Sequence, residues 1–494
     1  MDHPPFRSGA ELRMKGLSKS SYVAGLQCPL LLYRMVRSPA LIPGPDPFSQ
    51  YQFDQGIAAG KLATKQFEPG VRIPAFPLGE SLEKTKKAME EGHRHIFEAA
   101  FGFQDIHVKA DVLVNRGDSH VDIVEVKSST KVKDRHIDDL AIQRFVLEGN
   151  GLTVDFAFLL HMNPDYVHPG DSLFLLSDQS SAVDSRMKDV PENLGAMRKV
   201  LRATEPPETD IGPHCGKPDG CPLKQECWKH IPGLSVFNIP NIRSEKWEFY
   251  SQGIVSIDQL PVWFRGKPYQ KPFLDSCKSG KPVMDKPGLR GMMAELEEPL
   301  HFMDFETLML AVPVHAGTKP WQQLTVQWSV HVLEGGRLAH HEFIHDSADD
   351  PRMPFIESLL DVLGGSGSVI VYSAAFEGGR LEEIAEAFPR YGDSIGRVVA
   401  RLWDQLLVFR NHYCDSRFCG SNSLKSVLPV LVPALSYKDL AVREGGTAMA
   451  AYARMVSLPE GREKEKIKRD LLEYCKLDTL AMVEIHKVLE GLVA

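Results

Sequence analysis

Three features of the sequence predict a mixed α/β fold divided between two large units. Strand-like runs of alternating or continuous apolar residues occur in both halves. They are "IHVKADVLVNRG", "SHVDIVEVKSS" and "VDFAFLLHM" in the first, and "LTVQWSVHVLEGGRLAHHEFIHD" and "SVIVYS" in the second. Helical spacing follows each set, in "HIDDLAIQRFVLEGNG" with its Gly stop and in a long amphipathic stretch from about 463 to 491. Between the halves the composition turns to Pro, Gly and Lys, ending in "RGKPYQKPFLDSCKSGKPVMDKPGLRG". The expected organisation is therefore a first domain over 1–235, a linker with one candidate helical hairpin over 236–298, and a second domain over 299–494. In the second domain Gly335 and Gly336 mark a hairpin turn.

Bulk properties narrow the function classes. A chain of 494 residues, 43% hydrophobic and 25% charged, can bury a sizeable core and is not a disordered tail. No apolar run reaches the roughly 18 residues of a membrane span, and "MDHPPFRSGAELRMKG" has no apolar signal core, so a cytoplasmic protein with no membrane partner is expected. In that reducing compartment its eight cysteines are expected to be free, buried or metal-bound. A net charge of −8 excludes a basic footprint over the whole molecule but leaves room for a local basic groove such as "KVKDR".

The first chemical constellation lies in "VKADVLV" and "VDIVEVKSS". Glu125 and Lys127, two apart on a strand, project from one face, and Asp111 comes from the preceding strand. Two carboxylates and an ammonium so placed can hold a divalent ion, orient a water and stabilise developing charge, while an exposed Glu–Lys pair at a sheet edge is the plainer alternative. Asp, then Glu-x-Lys, then a helix carrying Gln143, resembles the PD-(D/E)XK nucleases of the RecB type. That resemblance implies a restriction-endonuclease-like fold with Asp111 and Glu125 as metal ligands and Lys127 and Gln143 beside them. The chain departs from it at "QGIAAGKLA", where Gly60 stands in place of the metal-binding His of a Gly-x-x-x-His pattern. Without that ligand, gripping a strand without cutting it is the alternative role.

Cys215, Cys221 and Cys227 follow at even six-residue steps, and Cys28 precedes the core in "SYVAGLQCPLLLYR". Four thiolates suit either a [4Fe-4S] cluster or zinc. One cysteine before the nuclease core and three after it resembles the iron-sulfur nucleases of the AddB type and the CRISPR-adaptation exonucleases, which implies a [4Fe-4S] staple. The gaps of five residues between the trailing cysteines depart from the usual shorter first gap.

The second constellation begins at "HFMDFET", where Asp304 and Glu306 share a strand face among apolar neighbours. Burial and mutual repulsion make that arrangement costly unless a cation neutralises it. "VIVYSAAFEGGRL" delivers Glu377 to a helix start, and "LLEYCKLDTLAMVEIHKVL" puts Tyr474 and Asp478 one helical turn apart. In this order the set resembles the DEDD exonucleases of the RNase H-like fold, in the branch ending Tyr-x-x-x-Asp. The resemblance implies Mg²⁺ or Mn²⁺ bound by Asp304, Glu306, Glu377 and Asp478, with Tyr474 orienting the attacking water and 3′ to 5′ polarity. Glu377 stands where an Asp is usual, with Asp404 as a reserve ligand, and Lys425 in "SNSLKSVLP" is a candidate phosphate contact. Over nearly its full length the chain also resembles a bacterial two-module family of unknown function that carries "DFET", "FE", "GSNSLKSVLP" and "YCKLDT".

Together these features lead to the expectation of a metal-dependent nuclease acting on DNA, single-stranded or at ends. A nucleic-acid-binding or partner-recruiting protein with degenerate sites is the alternative, as is an RNA exonuclease, since neither constellation tests for a 2′-hydroxyl. Cys414 and Cys419 with His412 lack an evident fourth ligand, and Cys277 and Cys475 read as buried thiols.

Overall fold

The computed structural model describes residues 16–74 and 77–494. Residues 1–15, which bear on the signal-core reading, lie outside them. Among the described residues no helix is long and apolar enough to cross a membrane. The chain forms two compact units. One comprises 16–44, 54–166 and 170–228, the other Pro45–Phe53, Val167–Pro169 and Lys229–Ala494. Each combines a sheet with covering helices, so the fold is mixed α/β.

In the first unit helices α1 (Lys19–Gln27) and α2 (Pro29–Arg37) precede strands β1 (His95–Phe103), β2 (Ile106–Gly117) and β3 (His120–Lys127). Helix α3 (Asp134–Gly149) and strands β4 (Thr153–Met162) and β5 (Phe174–Asp178) follow. β1, β2 and β3 are joined antiparallel, whereas β3 and β4 pair in parallel. A parallel pair needs a long crossover, and α3 supplies it. Its Ile137, Leu140, Ala141 and Val146 pack with Ile106, Val108 and Ala110 of β2 in the core. Cys28 lies in extended conformation between α1 and α2, with Pro29 opening the second helix at a position where a missing N–H costs nothing.

The second unit is built on β6 (Leu300–Met309), β7 (Gln323–Glu334), β8 (Arg337–Ile344), β9 (Val369–Val371) and β10 (Leu402–Asp404), in spatial order β8-β7-β6-β9-β10. The first three strands are antiparallel and the last two run parallel to β6. That order, third-second-first-fourth-fifth, is the one expected of an RNase H-like sheet. The β7–β8 turn uses Gly335 and Gly336 at φ 52° and 75°, a left-handed pair that suits a tight hairpin. Helix α4 (Ala374–Ala387) follows β9, and α5 (Leu424–Leu431), α6 (Gly445–Ser457) and α7 (Arg462–Val493) complete the unit.

Residues 236–298 differ from the expected linker. Val236, Ile239, Ile242, Phe249 and Phe273 form a satellite core of the second unit, and Val283–Met284 pairs with Tyr413–Cys414. The Pro and Gly residues mark turns between its short helices, while its apolar residues are numerous enough to bury one another.

Candidate active site

Alternation along β6 sends Met303 and Phe305 into one core layer, against Phe355 and Trp328, and turns Phe302, Asp304 and Glu306 to the opposite face. Helix α7 covers that face. Its buried stripe runs Leu471, Tyr474, Cys475, Asp478, Met482, Ile485 and Leu489, at helical spacing, so Tyr474 and Asp478 belong to the apolar side and face the strand. Polar contacts hold the helix in register: Gln327 donates to Leu471 O at 2.8 Å, and Thr479 Oγ1 lies 2.8 Å from both Ser329 Oγ and His331 Nδ1.

The result is a convergence of acids. Ligand oxygens of Asp304, Glu306 and Asp478 all lie within 4.8 Å of one another, the one such group of His, Cys, Asp or Glu side chains among the described residues. Burial, then the charges of Asp478, Glu306 and Glu377, push Asp304 well above the carboxylate range. Burial and Asp478 do the same to Glu306, opposed by Lys425. Asp478 rises only to about 6, because hydrogen bonds from Tyr437 and Tyr474 and the charge of Lys425 offset its burial. Glu377 is raised to about 8 by burial, with Asp404 adding to it. Its Oε2 is buried without a hydrogen-bond partner among the described residues. Glu377 thus sits close enough to Asp304 to be felt electrostatically but outside the tight group of three.

Lys425, at the start of α5, donates to Tyr474 Oη at 2.9 Å and lies over the rings of Tyr474 and Tyr437 at 5.0 and 5.4 Å. The opening of α6 adds a second favourable field, since a Cβ at Gly445 would stand 3.9 Å from Glu306 Oε2, which puts a helix N-terminus against that carboxylate. Asp404 is committed elsewhere: its two oxygens accept the N–H groups of Ala374 at 3.2 Å and Leu406 at 3.0 Å, so it caps the turns around α4 and is not a ligand of the group.

In the first unit Asp111, Glu125, Lys127 and Gln143 are also brought together. The antiparallel register pairs Val112 with Val124, and one step beyond it the Asp111 carboxylate accepts the Val126 N–H at 2.7 Å. Glu125 is buried and fully occupied. Its Oε1 receives Lys19 Nζ at 2.6 Å and Lys127 Nζ at 2.8 Å, and its Oε2 receives Gln143 Nε2 at 2.7 Å. Lys127 also reaches Asp139 Oδ2 at 2.6 Å. Burial alone would raise Glu125, but the two lysines outweigh it and hold Glu125 at about 2. Asp111, raised to about 7 by burial and by Glu125, remains the unbalanced member. At Gly60 a Cβ would meet no atom within 4 Å beyond its chain neighbours and its own helix backbone.

The four candidate cluster thiols converge in the same unit. Cys28, Leu31 and Leu223 form a small core against which Cys221 and Cys227 pack. Burial raises the Cys221 and Cys227 thiols, and the proximity of Cys28 and Cys215 raises both further. Gln27 Nε2 straps the helix end to the trailing loop, donating to His214 O and Asp219 O at 2.9 Å each. His412 does not join Cys414 and Cys419 in a second thiol site, because its Nδ1 pairs with Asp285 Oδ2 at 2.9 Å.

Residues 301–423 match the model of a domain of unknown function, DUF2779. The matched span holds Asp304, Glu306 and Glu377 and ends before Lys425 and α7. Similar proteins include the uncharacterized protein MG366 of Mycoplasma genitalium, 23% identical over 45% of this chain and 36% of its own length. Another is the MG366 homolog of Mycoplasma pneumoniae, 25% identical over 42% of this chain and 34% of its own. The chain spans about a third of the length of these relatives. Among solved structures, an alkaline exonuclease from Laribacter hongkongensis aligns over 38% of this chain and 91% of its own, at 13% identity and a TM-score of 0.19. The crystal structure of SSO0001 aligns over 37% and 79%, at 15% identity and a TM-score of 0.16.

Four residues of these sites escaped sequence reasoning. Tyr437 donates to Asp478 Oδ1 at 2.5 Å, Cys475 Sγ lies 3.6 Å from Asp304 Oδ2, and Lys19 and Asp139 flank Glu125 and Lys127. Cys475 was legible in principle, as the neighbour of Tyr474 on the inward stripe of α7. Tyr437 and Lys19 come from remote segments with no local periodicity to announce them.

Proposed function

We propose that the protein is a metal-dependent nuclease whose hydrolytic centre is the Asp304, Glu306 and Asp478 group. The observation that carries this reading is a set of three half-buried to buried acids within 4.8 Å, with Lys425 as the neighbouring cation and an unpartnered Glu377 oxygen beside them. Such a set fits hard divalent cations such as Mg²⁺ or Mn²⁺, which take oxygen ligands. When bound, these ions supply charge stabilisation and an activated water for phosphodiester cleavage. Asp304, central to the repulsion, would hold the ions together with Glu306, Asp478 and Glu377. Tyr474, fixed by Lys425 and by Asp478, positions its hydroxyl where an attacking water would be oriented.

The first unit supports a different role. With both oxygens of Glu125 already taken by Lys19, Lys127 and Gln143, its charge is balanced from within, and this favours gripping nucleic acid over cutting it. The thiols of Cys28, Cys215, Cys221 and Cys227 suit a [4Fe-4S] cluster that staples α1 and α2 to the trailing loop. The test is incubation with end-labelled single-stranded DNA and Mg²⁺ or Mn²⁺, comparing the wild type with Asp304→Ala plus Asp478→Ala and with Lys127→Ala. Cleavage is expected to vanish in the first variant and persist in the second, and undiminished cleavage in the first rejects the assignment.

A further inference from the structure

The second unit carries a surface that the carboxylate chemistry does not use. On the stretch 262–271, Val262 is 83% exposed, Trp263 72% and Tyr269 51%, an uncommon concentration of open apolar area on one loop. Trp263 is not loose. Its ring lies 6.4 Å from Phe249 and 6.3 Å edge-on from Phe264, and Phe249 is buried in the satellite core of the 236–298 segment. Arg265 and Lys267 alternate with these rings, exposed and without a carboxylate partner among the described residues.

Tyr269 also forms one wall of a cavity of about 650 Å³. Arg410, exposed and likewise unpaired among the described residues, lines it together with Tyr372, Ser423 and Leu424. The cavity has one acid, Asp415, which Arg417 already neutralises through contacts of 2.6 and 3.0 Å. One wall adjoins the carboxylate group through the chain, from Leu424 to Lys425. Tyr372 donates to Asn422 O at 3.1 Å, and the residue after Leu424 is Lys425, whose Nζ reaches Tyr474.

We propose that this surface is a lead-in track for single-stranded nucleic acid, with Trp263 and Tyr269 as stacking platforms and Arg265, Lys267 and Arg410 as phosphate contacts, running toward the carboxylate site. It rests on the nuclease reading for its direction and substrate. Open rings interleaved with unpaired cations match the alternation of base faces and phosphates along a strand, and the cavity has the size of a pocket for one small ligand, here a nucleotide. A protein partner would have to bring acids to three separate cations and apolar area to two separate rings.

The test uses the full-length protein and a labelled oligothymidylate in EDTA, with anisotropy as the readout, so that binding is measured without hydrolysis. Trp263→Ala and Tyr269→Ala are each expected to weaken binding about tenfold, with Trp263→Phe close to wild type. Arg410→Ala is expected to reduce the salt slope by about 0.7. A strand carrying 2-aminopurine, mixed with the wild-type protein, is expected to lose emission as the base stacks, a result independent of any variant's folding. Unchanged affinity in both alanine variants together with unquenched 2-aminopurine overturns the track and assigns the patch to a protein partner. Failure of the nuclease reading appears separately, as cleavage that survives Asp304→Ala plus Asp478→Ala.

Discussion

At Asp304, burial and three neighbouring acids all oppose ionisation. The isosteric Asp304→Asn removes that conflict and the ligand together. In EDTA at pH 8 the variant is expected to be more stable than wild type, because the burial and repulsion that oppose the Asp304 charge are relieved. Turnover on labelled single-stranded DNA is expected to fall about a hundredfold or more, as when a group stabilising transition-state charge is lost. A variant that is less stable without metal contradicts the electrostatic account. Tyr437 makes a finer case. Its hydrogen bond is the largest influence holding Asp478 down near 6, so Tyr437→Phe should raise that value and move the acid limb of the rate–pH profile upward, with the plateau rate changed by less than about tenfold.

Helix α1 links two features of the first unit, since Lys19 at its start reaches Glu125 and Cys28 at its end joins the thiol group. Under the proposed cluster assignment, Cys28→Ser is therefore expected to abolish bound iron and its visible absorption, and to lower the melting temperature of the first unit. Asp304-dependent turnover should persist, since that chemistry belongs to the other unit. Iron content and calorimetry on anaerobically prepared protein provide the check, and iron retained by the serine variant would remove Cys28 from the ligand set. Elements of this kind were legible where one period dominates the sequence: β2 and β3 from alternation, the β7–β8 turn from its paired glycines, α7 from its apolar stripe. Asp304, Glu306 and Asp478 were legible for the same reason, being acids on buried faces. The segment 236–298 was not, because its apolar residues are scattered among turn formers and find one another only in three dimensions. The lysine clamp on Glu125 was hidden by a separation of 106 residues between Lys19 and its partner.

For the molecule as a whole, the raised acids dominate the dependence of stability on pH. Asp478 titrates near 6, Asp111 near 7 and Glu377 near 8, and Asp304 and Glu306 lie well above their ordinary values, whereas in the unfolded chain all five return to about 4. Between those limits these acids hold more protons in the native protein than in the unfolded chain, so on their account unfolding releases protons and stability falls as pH rises. Glu125, held near 2, and the buried histidines, with His136 lowered to about 3 and His331 and His340 to about 4, have the opposite sign, but their contributions are complete above about pH 7 and change little beyond it. The metal-free protein is thus expected to melt at progressively lower temperature from about pH 7 to pH 8.5. Under the proposed assignment Mg²⁺ or Mn²⁺ would replace the protons in the carboxylate group, so the stabilisation on adding metal should grow over the same range, and binding should release protons. Melting curves in EDTA and in Mn²⁺ at pH 7, 7.5, 8 and 8.5 measure both trends. A metal-free protein that gains stability toward pH 8, or a metal increment that shrinks with pH, would mean that the acids of β6 and α7 are ionised and solvated without a cation, and the hydrolytic assignment would fail with them.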